Sequence, residues 1–288
     1  MNWNMVSYHS RSLKKIIMLT KFFNKLTAEP EPMHSYSAGI SDTGQKRNHN
    51  EDSYLINEQL GLFMVADGMG GHDAGEVASK LTIKTIFNHL KKLDMTYQQM
   101  TLEDDKSAAE IISSVLQDAV EDANNQTHCH NIAKGLANGA GMGTTITGFL
   151  INTRDNSAKK KISMFNVGDS RTYSFRKGHL KQLSTDHSHY QLWLDTGKDG
   201  PAPRQHIIYK AIGPWKRIVA EQHTFSIHNN ELFLLCSDGL CDMLSDEEIE
   251  NILNTNSNKT LKDMSQALVD SANEAGGLDN ITVVLVKP

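Results

Sequence analysis

"LFMVADGMGGHDAGEVASK", Leu62 to Lys80, decides how the rest of the chain is read. An apolar run stops abruptly on Asp67-Gly68. A second glycine pair follows at Gly70-Gly71, and a helical pattern then begins. A buried strand ending on a carboxylate held by glycines points to phosphate cradling or to metal binding. The P-loop form of the first fails, because "GMGGHDAG" lacks the Gly-Lys-Ser/Thr ending. A dinucleotide fingerprint fails as well, since glycines at 68, 70, 71 and 75 do not give GxGxxG.

Outward from this stretch, "SYSAGIS", "DSYLIN" and "GLFMVAD" read as short strands separated by turn residues. Val77, Leu81, Thr82, Ile86 and Leu90 give helical spacing over Gly75 to Leu93. Residues 94–106 are polar and read as a loop. "SAAEIISSVLQDAVEDANNQT" is a second long helix with Ser107 as its cap. "TTITGFLIN", "KKISMFNVGDS", "RTYSFRKGHLKQLS" and "ELFLLCSDG" read as strands, and Lys177-Gly178 as a hairpin turn. "SDEEIENILN" and "TLKDMSQALVDSANEAGG" are helices, the first with Ser245 and Glu248 in capping-box spacing. "NITVVLVKP" closes the chain as a strand. Strands, two helices, many strands, two helices and a strand do not make a βαβ alternation. The order fits an antiparallel β-sandwich covered by helix pairs.

The 288 residues, 39% hydrophobic and 22% charged, are ordinary for a globular protein. Of 29 basic and 34 acidic residues, residues 1–28 hold five basic ones (Arg11, Lys14, Lys15, Lys21, Lys25) and no acid. Residues 29–288 therefore carry a charge of −10, which argues against a nucleic-acid partner. Residues 1–33 read as a basic extension, either a frayed tail or a helix that touches a membrane surface or a partner; the tail is favoured. Residues 34–288 form the folded domain. The three cysteines, Cys129, Cys236 and Cys241, lack CxxC spacing, which argues against a disulfide framework or a zinc site and makes the cytoplasm the default location.

The chemistry lies in the acids. Asp52, Asp67, Asp169, Asp238 and Asp279 each abut a hydrophobic strand. One such Asp is usually a turn residue that caps local N–H groups. Five converging carboxylates would repel one another by several kcal/mol unless cations sat between them. All-oxygen ligands favour Mg²⁺ or Mn²⁺ over zinc. Gly68 allows close backbone approach, so its carbonyl is a further candidate ligand. Arg47, five residues before Asp52, is the candidate to grip a phosphate, since its planar fork matches phosphate geometry.

"RNHNED" (Arg47 to Asp52), "VADGMGG" (Val65 to Gly71), "GMGTT" (Gly141 to Thr145), "NVGDSR" (Asn166 to Arg171), "CSDGLCD" (Cys236 to Asp242) and "DNIT" (Asp279 to Thr282) resemble, in order, the motifs of the PPM-type, protein phosphatase 2C-like serine/threonine phosphatases, in their bacterial form. The resemblance spans about residues 34–288. It implies an α+β fold, a four-layer α-β-β-α sandwich of two mostly antiparallel sheets flanked by helix pairs. It implies that Asp67 bridges two metal ions and that the Gly68 carbonyl binds one of them. Asp52, Asp238 and Asp279 match the remaining ligands, and Asp169 and Asp242 those of a weaker third site. Glu51 matches a residue that orients water, and Arg47 the phosphate-binding arginine.

The implied function is hydrolysis of phosphoserine and phosphothreonine in proteins, opposite a Ser/Thr kinase, by a water between two Mn²⁺ or Mg²⁺ ions. The partners expected are phosphorylated proteins, with membrane contact only through residues 1–33. A regulatory phosphoprotein-binding domain on the same fold is the alternative, but its signature would be a lost ligand, and Asp52, Asp67, Asp238 and Asp279 are all present. A two-metal nuclease would need a basic groove, which the −10 body opposes. Many eukaryotic relatives have a histidine where Met69 stands. Methionine cannot donate a proton, so the leaving group must draw its proton from water or another group. His72 is close in sequence, but a solvated role in the loop is the preferred reading. Asp186 to Gly213 matches the flap beside the site, where substrate choice is expected.

Overall fold

Leu62–Ala66 is buried at every residue, and the burial faces two ways. Leu62, Met64 and Ala66 pack with Ile83, Ile86, Leu116 and Val120 of two helices. Phe63 and Val65 pack with Phe233, Leu235, Val284 and Val286 of an opposing sheet. A strand covered on both faces reads as an unbroken apolar run. The computed structural model describes residues 36–70, 74–97, 105–136, 139–151 and 160–288. The extension 1–33 lies outside them.

Among the described residues, one sheet joins β1 (Ser37–Asp42), β12 (Ile281–Val286), β11 (Leu232–Cys236), β8 (Arg171–Arg176) and β9 (His179–Gln182) in that order. The other joins β10 (Glu221–Ser226), β7 (Lys161–Val167), β6 (Ile146–Ile151), β3 (Leu62–Ala66) and β2 (Ser53–Asn57). Every pairing within both sheets is antiparallel. Helices α1 (Ala74–Tyr97) and α2 (Asp105–Ala133) cover the second sheet. Helices α5 (Asp246–Thr255) and α6 (Leu261–Glu274) cover the first. Between the sheets, the rings of Phe63, Phe149 and Phe233 form a chain with centroids 5.4 Å apart at each step. The result is the expected α-β-β-α sandwich.

Local signals explain the ends of the elements. Lys177 (φ 54°) and Gly178 (φ 83°) close the β8–β9 hairpin with two left-handed residues, the requirement of a type I′ turn. Ser245 and Glu248 form a complete capping box on α5. Three expectations shift. Helix α1 runs on to Tyr97. Helix α2 begins at Asp105, so Ser107 is inside it and does not cap it. Asp238 follows β11 by two residues and opens a four-residue helix, α4 (Asp238–Cys241).

Candidate active site

Asp67 is positioned by "GMGTT". Its N–H donates to Thr145 Oγ1 (3.0 Å), and its carbonyl accepts from Thr144 Oγ1 (2.7 Å) and Thr145 N (2.8 Å). The next residues, β4 (Gly68–Met69), pair with β5 (Gly143–Thr144) as a two-residue ribbon. Gly68 is required sterically: a Cβ there would lie 2.2 Å from Gly75 O and 2.5 Å from Glu51 O. Thr145 Oγ1 also meets Ser170 Oγ at 2.6 Å, which ties "NVGDSR" to the same corner.

Asn280 clips the remaining segments together. Its side-chain N–H groups donate to the carbonyls of Thr43 and His49 (both 2.9 Å), and its Oδ1 accepts from Glu51 N (2.8 Å). Glu51 O accepts from Ser79 Oγ of α1 (2.6 Å). Ser237 donates to Asp52 Oδ2 (2.7 Å) and accepts from Thr282 N (2.9 Å). Sequence reading missed Asn280, Ser237, Thr144 and Thr145 as positioning residues, although all four sit inside the quoted motifs. The signal was short polar side chains flanking each aspartate, able to satisfy backbone groups in a crowded corner.

The electrostatics record the crowding. Asp52 is pushed up to about 7 by burial and by Asp238 and Asp279, against hydrogen bonds from Thr282 and Ser237. Asp238 is pushed up to about 6 by burial and by Asp242 and Asp279, with Asp67 and Arg47 pulling the other way. Asp67 is held well above the carboxylate range by burial and by the neighbouring Asp52 and Asp238. Burial and Asp238 also raise Asp169, which is 9% exposed, and burial raises the exposed Asp242.

Asp52, Asp67, Asp169, Asp238, Asp242 and Asp279 therefore share one electrostatic neighbourhood. Arg47 joins it by a 2.6 Å ion pair from Nη2 to Asp279 Oδ2. That contact was not expected of a residue read as a phosphate grip, although its side chain remains 52% exposed. Glu51 packs its carboxylate against Gly75, where a Cβ would come within 2.6 Å of Oε2.

Among the described residues, no three of these side chains already stand at a common coordination distance. Asp279 is engaged by Arg47. The donor set nevertheless fits a hard divalent cation. Asp52 Oδ1 and Asp238 Oδ1 are buried with no hydrogen-bond donor. An unmatched buried carboxylate oxygen is destabilising, and a cation is the partner that would match two of them at once.

The flap is anchored on the same corner. Arg171 grips Asp186 bidentately (Nε to Oδ1 3.0 Å, Nη2 to Oδ2 2.7 Å). His187 N donates to Gly168 O (2.9 Å), while its Nδ1 accepts from Gly168 N (3.0 Å). Burial and Lys210 hold that imidazole down at about 4, so it is a neutral acceptor beside Asp169. The short helix α3 (His189–Asp195) follows, capped by Ser188. His72 lies outside the described residues. His128 binds the Gly213 carbonyl through Nδ1 at 3.0 Å, in keeping with a structural role at the end of α2.

Known proteins share this fold. The Protein phosphatase 2C family model matches residues 43–279. The chain is 32% identical over 255 residues to a serine/threonine phosphatase (stp) of Listeria monocytogenes, covering 86% of this chain and 93% of the relative. It is 33% identical over 255 residues to protein phosphatase PhpP of Streptococcus pneumoniae, with 86% and 95% covered. Among solved structures, the serine/threonine phosphatase PstP of Mycobacterium tuberculosis superposes with a TM-score of 0.71 at 30% identity, covering 87% of this chain and 97% of that one. A PstP catalytic domain in complex with two manganese ions superposes with a TM-score of 0.68 at 31% identity, with 87% and 96% covered. With most of its length inside that match, the chain belongs to the protein phosphatase 2C family.

Proposed function

We propose that this chain is a metal-dependent protein phosphatase that hydrolyses phosphoserine and phosphothreonine, with Asp52, Asp67, the Gly68 carbonyl, Asp238 and Asp279 holding two Mn²⁺ or Mg²⁺ ions. One observation carries the ligand assignment: two buried carboxylate oxygens, on Asp52 and Asp238, have no donor and sit amid aspartates that repel one another. Ions held there would lower the pKa of water and neutralise charge on the phosphoryl oxygens. The carboxyls must release their protons to take them, so loading is pH-dependent. Asp169 and Asp242 are the candidates for a weaker third site.

The chain's own residues supply the rest. Arg47, half-exposed at the rim and braced by Asp279, offers its fork to two phosphoryl oxygens. Glu51, fixed through its backbone by Asn280 and Ser79, orients the attacking water. Met69, paired with Gly143 in the ribbon, cannot protonate the leaving oxygen, so that proton comes from water or another group. The retained carboxylate set favours catalysis over a purely regulatory binding domain.

Phosphorylated proteins are the substrates, and a cognate Ser/Thr kinase is the expected opposing activity. Cys129, Cys236 and Cys241 are all free, in keeping with a reducing cytoplasm. Among the described residues, no helix is long and apolar enough to cross a membrane. The test is phosphate release from a phosphoserine peptide with Mn²⁺ and with EDTA. Release only with metal is expected; full activity in chelator contradicts the mechanism.

A further inference from the structure

At the opposite end of the first sheet lies a groove of about 810 Å³. It is bounded by the start of β1, the segment before α6 and the residue after β12. Lys259, Lys262 and Lys287 line it, over an apolar floor that includes Phe175, Leu261 and Met264. Among the described residues no Asp or Glu lines it, although residues 29–288 carry −10. The three lysines are exposed and form no ion pair among the described residues. Acids adjoining the lining residues are already engaged: Glu231, between Asn230 and Leu232, accepts from the Ser174 hydroxyl and from His228 N (2.7 Å). Asp263 accepts from the Thr260 hydroxyl (2.7 Å), and Glu58 accepts from Tyr36 N (2.9 Å) and the Ser37 hydroxyl.

We propose that this groove docks an acidic segment of the protein substrate, remote from the residue being dephosphorylated. The proposal rests on the phosphatase reading above and adds a determinant of substrate choice to it. Charge selects the occupant: three unpaired ammonium groups around a concave, acid-free lining suit an extended chain rich in Asp, Glu or phosphoserine. The apolar floor accommodates side chains between the acids. An anionic bilayer fits less well, because a flat surface does not enter a groove and the −10 body repels it. The six residues of β12 separate groove and aspartates, about 20 Å at 3.3 Å per strand residue. A substrate engaging both ends gains through effective concentration, so docking lowers KM without changing the chemical step.

The experiment compares the full-length chain with its K259E/K262E/K287E variant. Fluorescence anisotropy is measured with a labelled twelve-residue Glu-rich peptide, a Ser-rich control and phosphatidylserine vesicles. Binding of the acidic peptide alone, weakened about tenfold or more in the variant, is expected from loss of electrostatic complementarity. Equal affinity for the two chains, or binding of vesicles without peptide, overturns the proposal. In kinetics, a phosphopeptide extended by the acidic stretch should show about a tenfold higher KM in the variant at unchanged kcat. Hydrolysis of p-nitrophenyl phosphate should be unchanged, which also reports that the variant is folded. If neither chain hydrolyses p-nitrophenyl phosphate, the phosphatase reading fails, while the anisotropy still decides the groove.

Discussion

The two ends of the β-sandwich solve opposite problems. At the far end the chain turns by ordinary means: the Lys177-Gly178 hairpin, and Glu58 tying down Tyr36 and Ser37. The charges lining its groove are exposed lysines. At the catalytic end, acids are drawn into a corner where burial and mutual repulsion push Asp52 and Asp238 up to about 7 and 6. Backbone packing there is tight enough to exclude a Cβ at Gly68 and at Gly239, where it would lie 2.0 Å from Asn280 O. Among the described residues the buried, mutually repelling carboxylates lie at this end, and the contrast marks it as the one built for a ligand.

The largest expected effect on this contrast is Asp238→Asn. It removes a charged oxygen from the cluster and should lower kcat by about a thousandfold, on the order of 4 kcal/mol. The metal-free melting temperature should hold or rise, because one repelling charge is gone. Activity equal to the parent at limiting Mn²⁺ would remove Asp238 from the assignment.

Gly68→Ala comes next. Its methyl would overlap two backbone carbonyls, which cannot give as a flexible side chain can. A loss of about 3 kcal/mol in stability, together with activity, is expected. Chemical denaturation measures it, and a neutral result would show that the ribbon is looser than its geometry implies.

Proton linkage gives the third. Folded pKa values above the unfolded ones favour the folded state below about pH 4, a contribution lost as pH rises through about 6 to 7. Cations should restore it at neutral pH. At pH 7.5, Mn²⁺ at a hundred times its Kd should add about 2.7 kcal/mol, or on the order of 5–10 °C in melting temperature for a domain of this size. At pH 5 the shift should be smaller, since protons compete for the same oxygens. Equal shifts at both pH values would break the link between repulsion and metal binding.

The smallest effect belongs to the far end. Gly178→Ala forces a left-handed residue (φ 83°) to carry a Cβ that would sit 3.1 Å from Asn254 Oδ1. About 1 kcal/mol of stability should be lost with no change in kcat/KM.

Much of this architecture was legible in the residues, for physical reasons. The β3 and β12 runs are buried on both faces, so composition alone marks them as interior strands. Of the candidate aspartates, Asp67, Asp238 and Asp279 stand within two residues of a strand buried throughout, which makes them conspicuous. Strand β10 was not legible: "EQHTFS" is a largely exposed edge strand of mixed polarity, held by pairing with β7 rather than by a pattern of its own. Helix α3 is short and has no buried residue to impose a period. The Arg47–Asp279 ion pair and the Asn280 clip join segments more than 200 residues apart. Neither leaves a local trace beyond membership in a motif.

Anomalous scattering from crystals of the full chain soaked in Mn²⁺ tests the central claim most directly. Two peaks are predicted among Asp52, Asp67, Asp238 and Asp279, with the unmatched Asp52 Oδ1 and Asp238 Oδ1 bound to metal. An ordered corner without a peak, in which those two oxygens still face no cation, would contradict it.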